Sequence, residues 1–84
     1  MRVLFITFRS VTLAQRGEQV LRRGGIRCSL QRTPRWMEEQ GCGYCLRLRQ
    51  GDMAGALQLL RHHRLDFRKV YEVSDSGTVE EVEV

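Results

Sequence analysis

The order of strand-like and helix-like stretches constrains the fold of this chain more than any other feature. Residues 2–8, R-V-L-F-I-T-F, are apolar and β-branched or aromatic without strict alternation. That pattern marks a strand with both faces at least partly covered. Ser10 or Thr12 can cap the next segment by accepting a backbone N–H of a first helical turn. Leu13, Ala14, Gly17, Val20 and Leu21 then recur at helical spacing, with Gln15, Arg16, Gln19, Arg22 and Arg23 on the opposite side. Gly24-Gly25 ends that helix, because glycine accepts the left-handed conformation common at a helix C-terminus. Gly17 weakens the helix by about 1 kcal/mol relative to alanine, which fits a helix that must approach a sheet closely.

Ile26 to Gln31 alternates and reads as a half-buried strand with Ile26, Cys28 and Leu30 on one face. Cys28 therefore reads as a small buried hydrophobe. Thr33-Pro34 has the form of a helix N-cap followed by proline at the first helical position, opening a turn from Pro34 to about Gln40 that stops at Gly41. Gly43 to Arg49 alternates again, with Tyr44, Leu46 and Leu48 on one side and Cys45, Arg47 and Arg49 on the other. Gln50-Gly51 is a turn, and Asp52 is placed to cap a second helix carrying Met53, Ala56, Leu57 and Leu60 on its inner face and ending near His62-His63. Leu65 to Val73 reads as a fourth strand. The β-α-β-β-α-β order predicts an α+β, ferredoxin-like fold: a four-stranded antiparallel sheet backed by two helices. Right-handed crossovers put the first and third strands at its centre. Residues 1–73 form the expected domain, and residues 74–84 an acidic, flexible tail.

At 84 residues the chain is one domain with a modest core. Its N-terminal apolar run is much shorter than the roughly 20 residues a membrane span needs, and it lacks the form of a signal peptide. A cytoplasmic protein is expected, with no membrane partner. Charge is unevenly placed. All fourteen bases, thirteen of them arginine, lie at or before Lys69, where five acids leave a net +9; from Glu72 onward five acids and no base give −5. A basic body invites an anionic partner, though charge alone speaks to association rather than fold.

The stretch Thr33 to Cys45, T-P-R-W-M-E-E-Q-G-C-G-Y-C, holds the only proline, the only tryptophan and two of the three cysteines. Cys42 and Cys45 form C-x-x-C, which admits three readings. A zinc site needs four ligands in paired arrangements, and the adjacent His62 and His63 point about 100° apart on a helix, so no metal is expected. A thioredoxin-like dithiol opens a helix after a strand, whereas this pair opens a strand and its members would tend to opposite faces. The third reading is a single reactive thiol on Cys42, with Cys45 as a possible second thiol. Gly41 and Gly43 clear space around it, and Arg35 favours a thiolate by charge. Against that stands the partial negative charge of a helix C-terminus just before Cys42, and an inert turn cysteine remains the plain alternative.

The combination of Leu30, Thr33, Pro34 and Arg35, then Cys42-Gly43, then L-R-L in the next strand, resembles the selenium/sulfur (Se/S) carrier protein-like family, small bacterial and archaeal proteins with a T-P-R-x-[LI]-S-x-x-C-G core. Phe8, Ser10, Ala14, Glu18, Gly25-Ile26 and Val70-Tyr71 extend the resemblance over roughly residues 3–73. The chain departs from the pattern in having six residues between Arg35 and Cys42 rather than five, and Glu38-Glu39 where the family commonly has serine. The resemblance implies a non-enzymatic carrier without cofactor. Cys42 would hold sulfur or selenium as a persulfide or perselenide, supported by Thr33, Pro34, Arg35, Gly41 and Gly43. Its partners would be a donor enzyme of the cysteine desulfurase or selenophosphate synthase type and an acceptor protein. The rival is an RNA-binding or small regulatory module using a basic sheet. Nucleic acid is disfavoured because the third strand presents no outward aromatic for base stacking. The apolar character of both faces of the first strand motivates an expectation of a homo-oligomer.

Overall fold

The computed structural model describes residues 2–34 and 43–84. Strand β1 (Val3–Thr7) leads into helix α1 (Val11–Arg23), then strands β2 (Cys28–Arg32) and β3 (Tyr44–Arg49). A 3-10 turn over Gln50–Asp52 precedes helix α2 (Met53–His62), followed by β4 (Val70–Val73) and β5 (Val79–Val82). The chain is thus α+β, with an antiparallel sheet in the order β2-β3-β1-β4-β5. The first and third strands lie inside it, as two crossovers require.

The sheet has five strands where the sequence pattern predicts four. Residues expected to fray as a tail supply β5, paired in register from Val70↔Val82 to Val73↔Val79. A turn closed by Ser74 N–H to Thr78 O at 2.9 Å, with Gly77 at φ +87°, folds the chain back. Backbone pairing holds an edge strand even where it adds no buried apolar side chain between Val79 and Val82; the Glu81 carboxylate adds an ion pair to Lys69 at 3.6 Å. The fourth strand is also shorter than expected. Leu65 N–H still bonds to Leu60 O, and Arg64 sits at φ +55°, so residues 64 and 65 close α2 instead of starting a strand.

One face of the sheet carries the core. Leu4, Ile6, Leu46 and Val70 are wholly buried against Ala14 and Leu21 of α1 and Ala56 and Leu60 of α2. Ser10 resolves the choice of cap: its extended backbone (φ −140°) lets Oγ accept from Leu13 N–H at 3.2 Å. At the other end Gly25 takes φ +85°, and Ile26 N–H reaches Leu21 O, so Ile26 belongs to the helix terminus and β2 starts two residues later. Gly17 is where α1 meets the sheet; a Cβ there would lie 2.9 Å from Phe8 Cζ. Asp52 occupies the N-cap position of α2 but its side chain makes no capping bond, because the 3-10 turn before it already supplies backbone acceptors.

The opposite face of the sheet is a mixture. Val3 and Phe5 are half-buried, Arg47 and Arg49 exposed, and Cys45, Thr7 and Tyr71 buried. Val3 and Phe5 account for the two-sided apolar character of the first strand.

Candidate functional site

The rim of the sheet where β2 ends and β3 begins is the place to which the sequence directs attention. Thr33 is buried, and its backbone N–H donates to Gly43 O at 2.7 Å, one rung beyond the Arg32↔Tyr44 pair. The ends of the segment between them are therefore clamped together by the ladder itself. Gly43 has φ +82° and is buried. A side chain at that position would incur left-handed strain, so glycine is needed there for backbone reasons in addition to any need for space. Pro34 is half-buried beside the clamp.

Three of the residues singled out from the sequence, Arg35, Gly41 and Cys42, lie outside the described residues, as does the expected helical turn apart from Pro34. Cys42 is the residue immediately before Gly43 in the chain.

Cys45 stands on β3 directly opposite Thr7 on one side and Gln31 on the other, and none of its surface is exposed. A thiol in that position reacts only if the local structure opens, which weighs against an easy second-thiol role. Cys28 is buried on the core side of β2, as its alternation implied. Burial, then the nearby Glu18 carboxylate, pushes its thiol pKa up, with Arg22 partly offsetting both.

The electrostatics of the rim favour negative charge. Thr7, at the end of β1, pairs with Cys45, and the chain reaches the α1 cap at Ser10 three residues later, so the positive end of the α1 dipole belongs to this rim. The first turn of α1 contains no acid to offset it. The exposed Arg32 places its guanidinium 5.6 Å from the centre of the Tyr44 ring. Thr7 Oγ1 accepts from Lys69 N–H at 3.1 Å and lies 3.3 Å from Lys69 O, which fixes the entry to β4 at the same edge. Arg32 adjoins Thr33 in sequence and was within reach of sequence reasoning. The Thr7–Lys69 link spans 62 residues and had no local signal.

His62 and His63 are exposed at the end of α2, their rings edge to face at 5.3 Å. Among the described residues no group of three His, Cys, Asp or Glu side chains is placed to hold a metal ion, and no helix is long and apolar enough to cross a membrane. A hollow of about 540 Å³ between α2 and the connection that follows α1, lined in part by Gly24, Ile26, Asp52 and His62, has no cysteine among the described residues of its wall.

The family model described as "Putative Se/S carrier protein-like" matches residues 4–72, and the chain belongs to that family. No curated protein and no solved structure matches it.

Proposed function

We propose that this member of the Se/S carrier-like family holds a single sulfur or selenium atom on Cys42 and passes it from a donor enzyme to an acceptor protein, catalysing no reaction of its own. The donor is of the cysteine desulfurase or selenophosphate synthase type, and the setting is the cytoplasm. The observation that carries the reading is that the cysteine directly precedes the Thr33–Gly43 clamp, inside the span matched by the family model. A ferredoxin-like frame of four strands, extended by β5, presents that rim on rigid support.

The transfer needs no external oxidant or reductant. Cys42 thiolate attacks the terminal sulfur of the donor's persulfide; the donor's sulfur–sulfur bond breaks, its thiolate leaves, and Cys42 carries the new sulfur–sulfur bond. A nucleophile of the acceptor then attacks the terminal atom and Cys42 departs as thiolate. For selenium the terminal atom is changed and the electron count is the same. Both steps require the thiolate form. The α1 N-terminus, Arg32 and, in sequence, Arg35 all bear positive charge and support it. Thr33 and Pro34 set one side of the clamp and Gly43 the other, and Gly41, as a glycine, adds no side chain next to the thiol in sequence.

An RNA-binding reading finds less support. The outward residues of β3 are Cys45, Arg47 and Arg49, and Tyr71 on β4 is only 8% exposed, leaving Phe5, among the described residues, as the one aromatic on that face with ring surface to offer. The test of the carrier is intact mass spectrometry after incubation with a cysteine desulfurase and cysteine or selenocysteine. Wild type gains one chalcogen and Cys42→Ala gains none; equal adducts on both, or none on either, sink the proposal.

A further inference from the structure

The sheet face turned away from the helices has an arrangement that the carrier role does not use. Strand register places Ser29, Arg47, Phe5, Tyr71 and Glu81 in one row running across all five strands. The next row holds Arg49, Val3, Val73 and Val79. β1 is the middle strand of the five. Along both rows the exposed arginines lie on one side of β1, the half-buried Val3 and Phe5 lie on it, and the buried Tyr71 with Val73, then Val79 and Glu81, lie on the other. Val79 is 38% exposed and the Glu81 side chain 51%. Among the described residues no helix covers this face.

We propose that this face is a two-fold interface with a second copy of the same chain, β1 stacked on β1. The charges choose the axis. Rotation about an axis parallel to β1 carries each copy's β3 over the β4–β5 side of the other. Arg47 then lies over the partner copy's Tyr71, one strand in from its Glu81 and within diagonal reach of that carboxylate, while Phe5 meets Phe5 and Val3 meets Val3. Rotation about an axis across the strands would instead stack arginine on arginine. Aligned stacking of two sheets is also the common packing for twisted antiparallel sheets.

The edges of the sheet argue the same way. At β2 two of the outward backbone groups are engaged by α1: Glu18 Oε2 accepts from Leu30 N–H at 3.1 Å, and Arg22 Nη2 donates to Cys28 O at 3.1 Å. Pairing two β5 edges antiparallel would line up Glu80 and Glu81 of both copies, which like-charge repulsion opposes. A face of five strands about 4.8 Å apart and about 16 Å tall offers roughly 400 Å² per copy, about 800 Å² in total, the size of a weak, transient interface. Association through so small a face is weak, and a dissociation constant in the micromolar range is the expectation that the experiment reads.

The experiment is sedimentation equilibrium of the full chain under reducing agent, over concentrations from about 1 μM to about 1 mM, which bracket that constant. A reversible monomer–dimer equilibrium is expected. Phe5→Glu should abolish it, and Arg47→Glu or Glu81→Arg should each weaken it at least about tenfold, since each substitution removes both symmetry-related charge pairs of the dimer. The double variant Arg47→Glu/Glu81→Arg restores complementarity and should recover most of the affinity. Arg47 is exposed, and Glu81 is half-exposed with only the Lys69 ammonium of its own chain beside it at 3.6 Å, so circular dichroism should report a native fold for both charge variants. A monomer at every concentration, open-ended assembly, or failure of the double variant to recover would overturn the proposal. Cys42→Ala should leave the equilibrium unchanged, so the dimer and the carrier role stand or fall separately.

Discussion

Replacing Gly17 by alanine should destabilise this protein although alanine is the better helix former. The substitution gains about 1 kcal/mol of helix propensity. The new Cβ, however, would stand 2.9 Å from Phe8 Cζ and 3.2 Å from Leu46 Cδ1. Neither side chain exposes any surface, so neither can swing into solvent to make way. Overpacking of this kind costs about 1–3 kcal/mol, leaving a net loss of about 1 kcal/mol and a fall in Tm of about 4–8 °C for a chain of this size. Gly51→Ala is the control: nothing lies within 4 Å of its Cβ, and its effect should stay within about 0.5 kcal/mol. The assay is urea unfolding followed by far-UV circular dichroism, with ΔG compared at equal m. A Gly17→Ala protein about 1 kcal/mol more stable than wild type, at unchanged m, would refute the account of how α1 seats on the sheet.

Gly43→Ala should cost about 1–2 kcal/mol because the residue is held at φ +82°, and a thermal melt matching wild type would show that the clamp tolerates another conformation. Glu18→Ala leaves the Leu30 N–H without its acceptor and should cost about 1–2 kcal/mol, with faster amide exchange at Leu30; Glu18→Gln keeps the acceptor and should retain protection. The Cys28 thiol has a raised pKa in the folded state. Its burial therefore adds no pH dependence below the ordinary thiol range of about 8.5. Stability should fall as pH rises from there through the folded-state value, because the unfolded chain loses that proton first. Urea titrations at pH 7 and 9.5 on wild type and Cys28→Ala measure it, and an equal slope in both proteins would contradict it.

Much of the frame was legible because local pattern and tertiary packing agree. Leu13, Ala14, Gly17 and Leu21 announced the buried stripe of α1, and Ser10 and Gly25 its ends. Tyr44, Leu46 and Leu48 face the core as their alternation required. β5 was missed because Val79-Glu80-Glu81-Val82 has no run of buried residues to read. Its signal was the Ser74–Thr78 turn with Gly77 at its tip, which is a statement about backbone. The end of the helix–strand connection was misjudged at Leu65, since an apolar residue closing a helix and one starting a strand look alike in sequence. Around the rim, Thr33 and Pro34 stand out through the family resemblance and Gly43 as the neighbour of Cys42. The buried state of Cys45 was not, because it depends on Thr7 and Gln31 on two other strands.

The central claim is that one thiol of three receives the chalcogen, and peptide mapping of the loaded chain tests it most directly. After exposure to a cysteine desulfurase and cysteine, the persulfides are blocked with an alkylating agent and the peptides carrying Cys28, Cys42 and Cys45 are quantified. The extra sulfur should be found on Cys42 alone, with Cys28 and Cys45 shielded by burial. An adduct on Cys45 or Cys28 in comparable amount, or an unmodified Cys42, would contradict it.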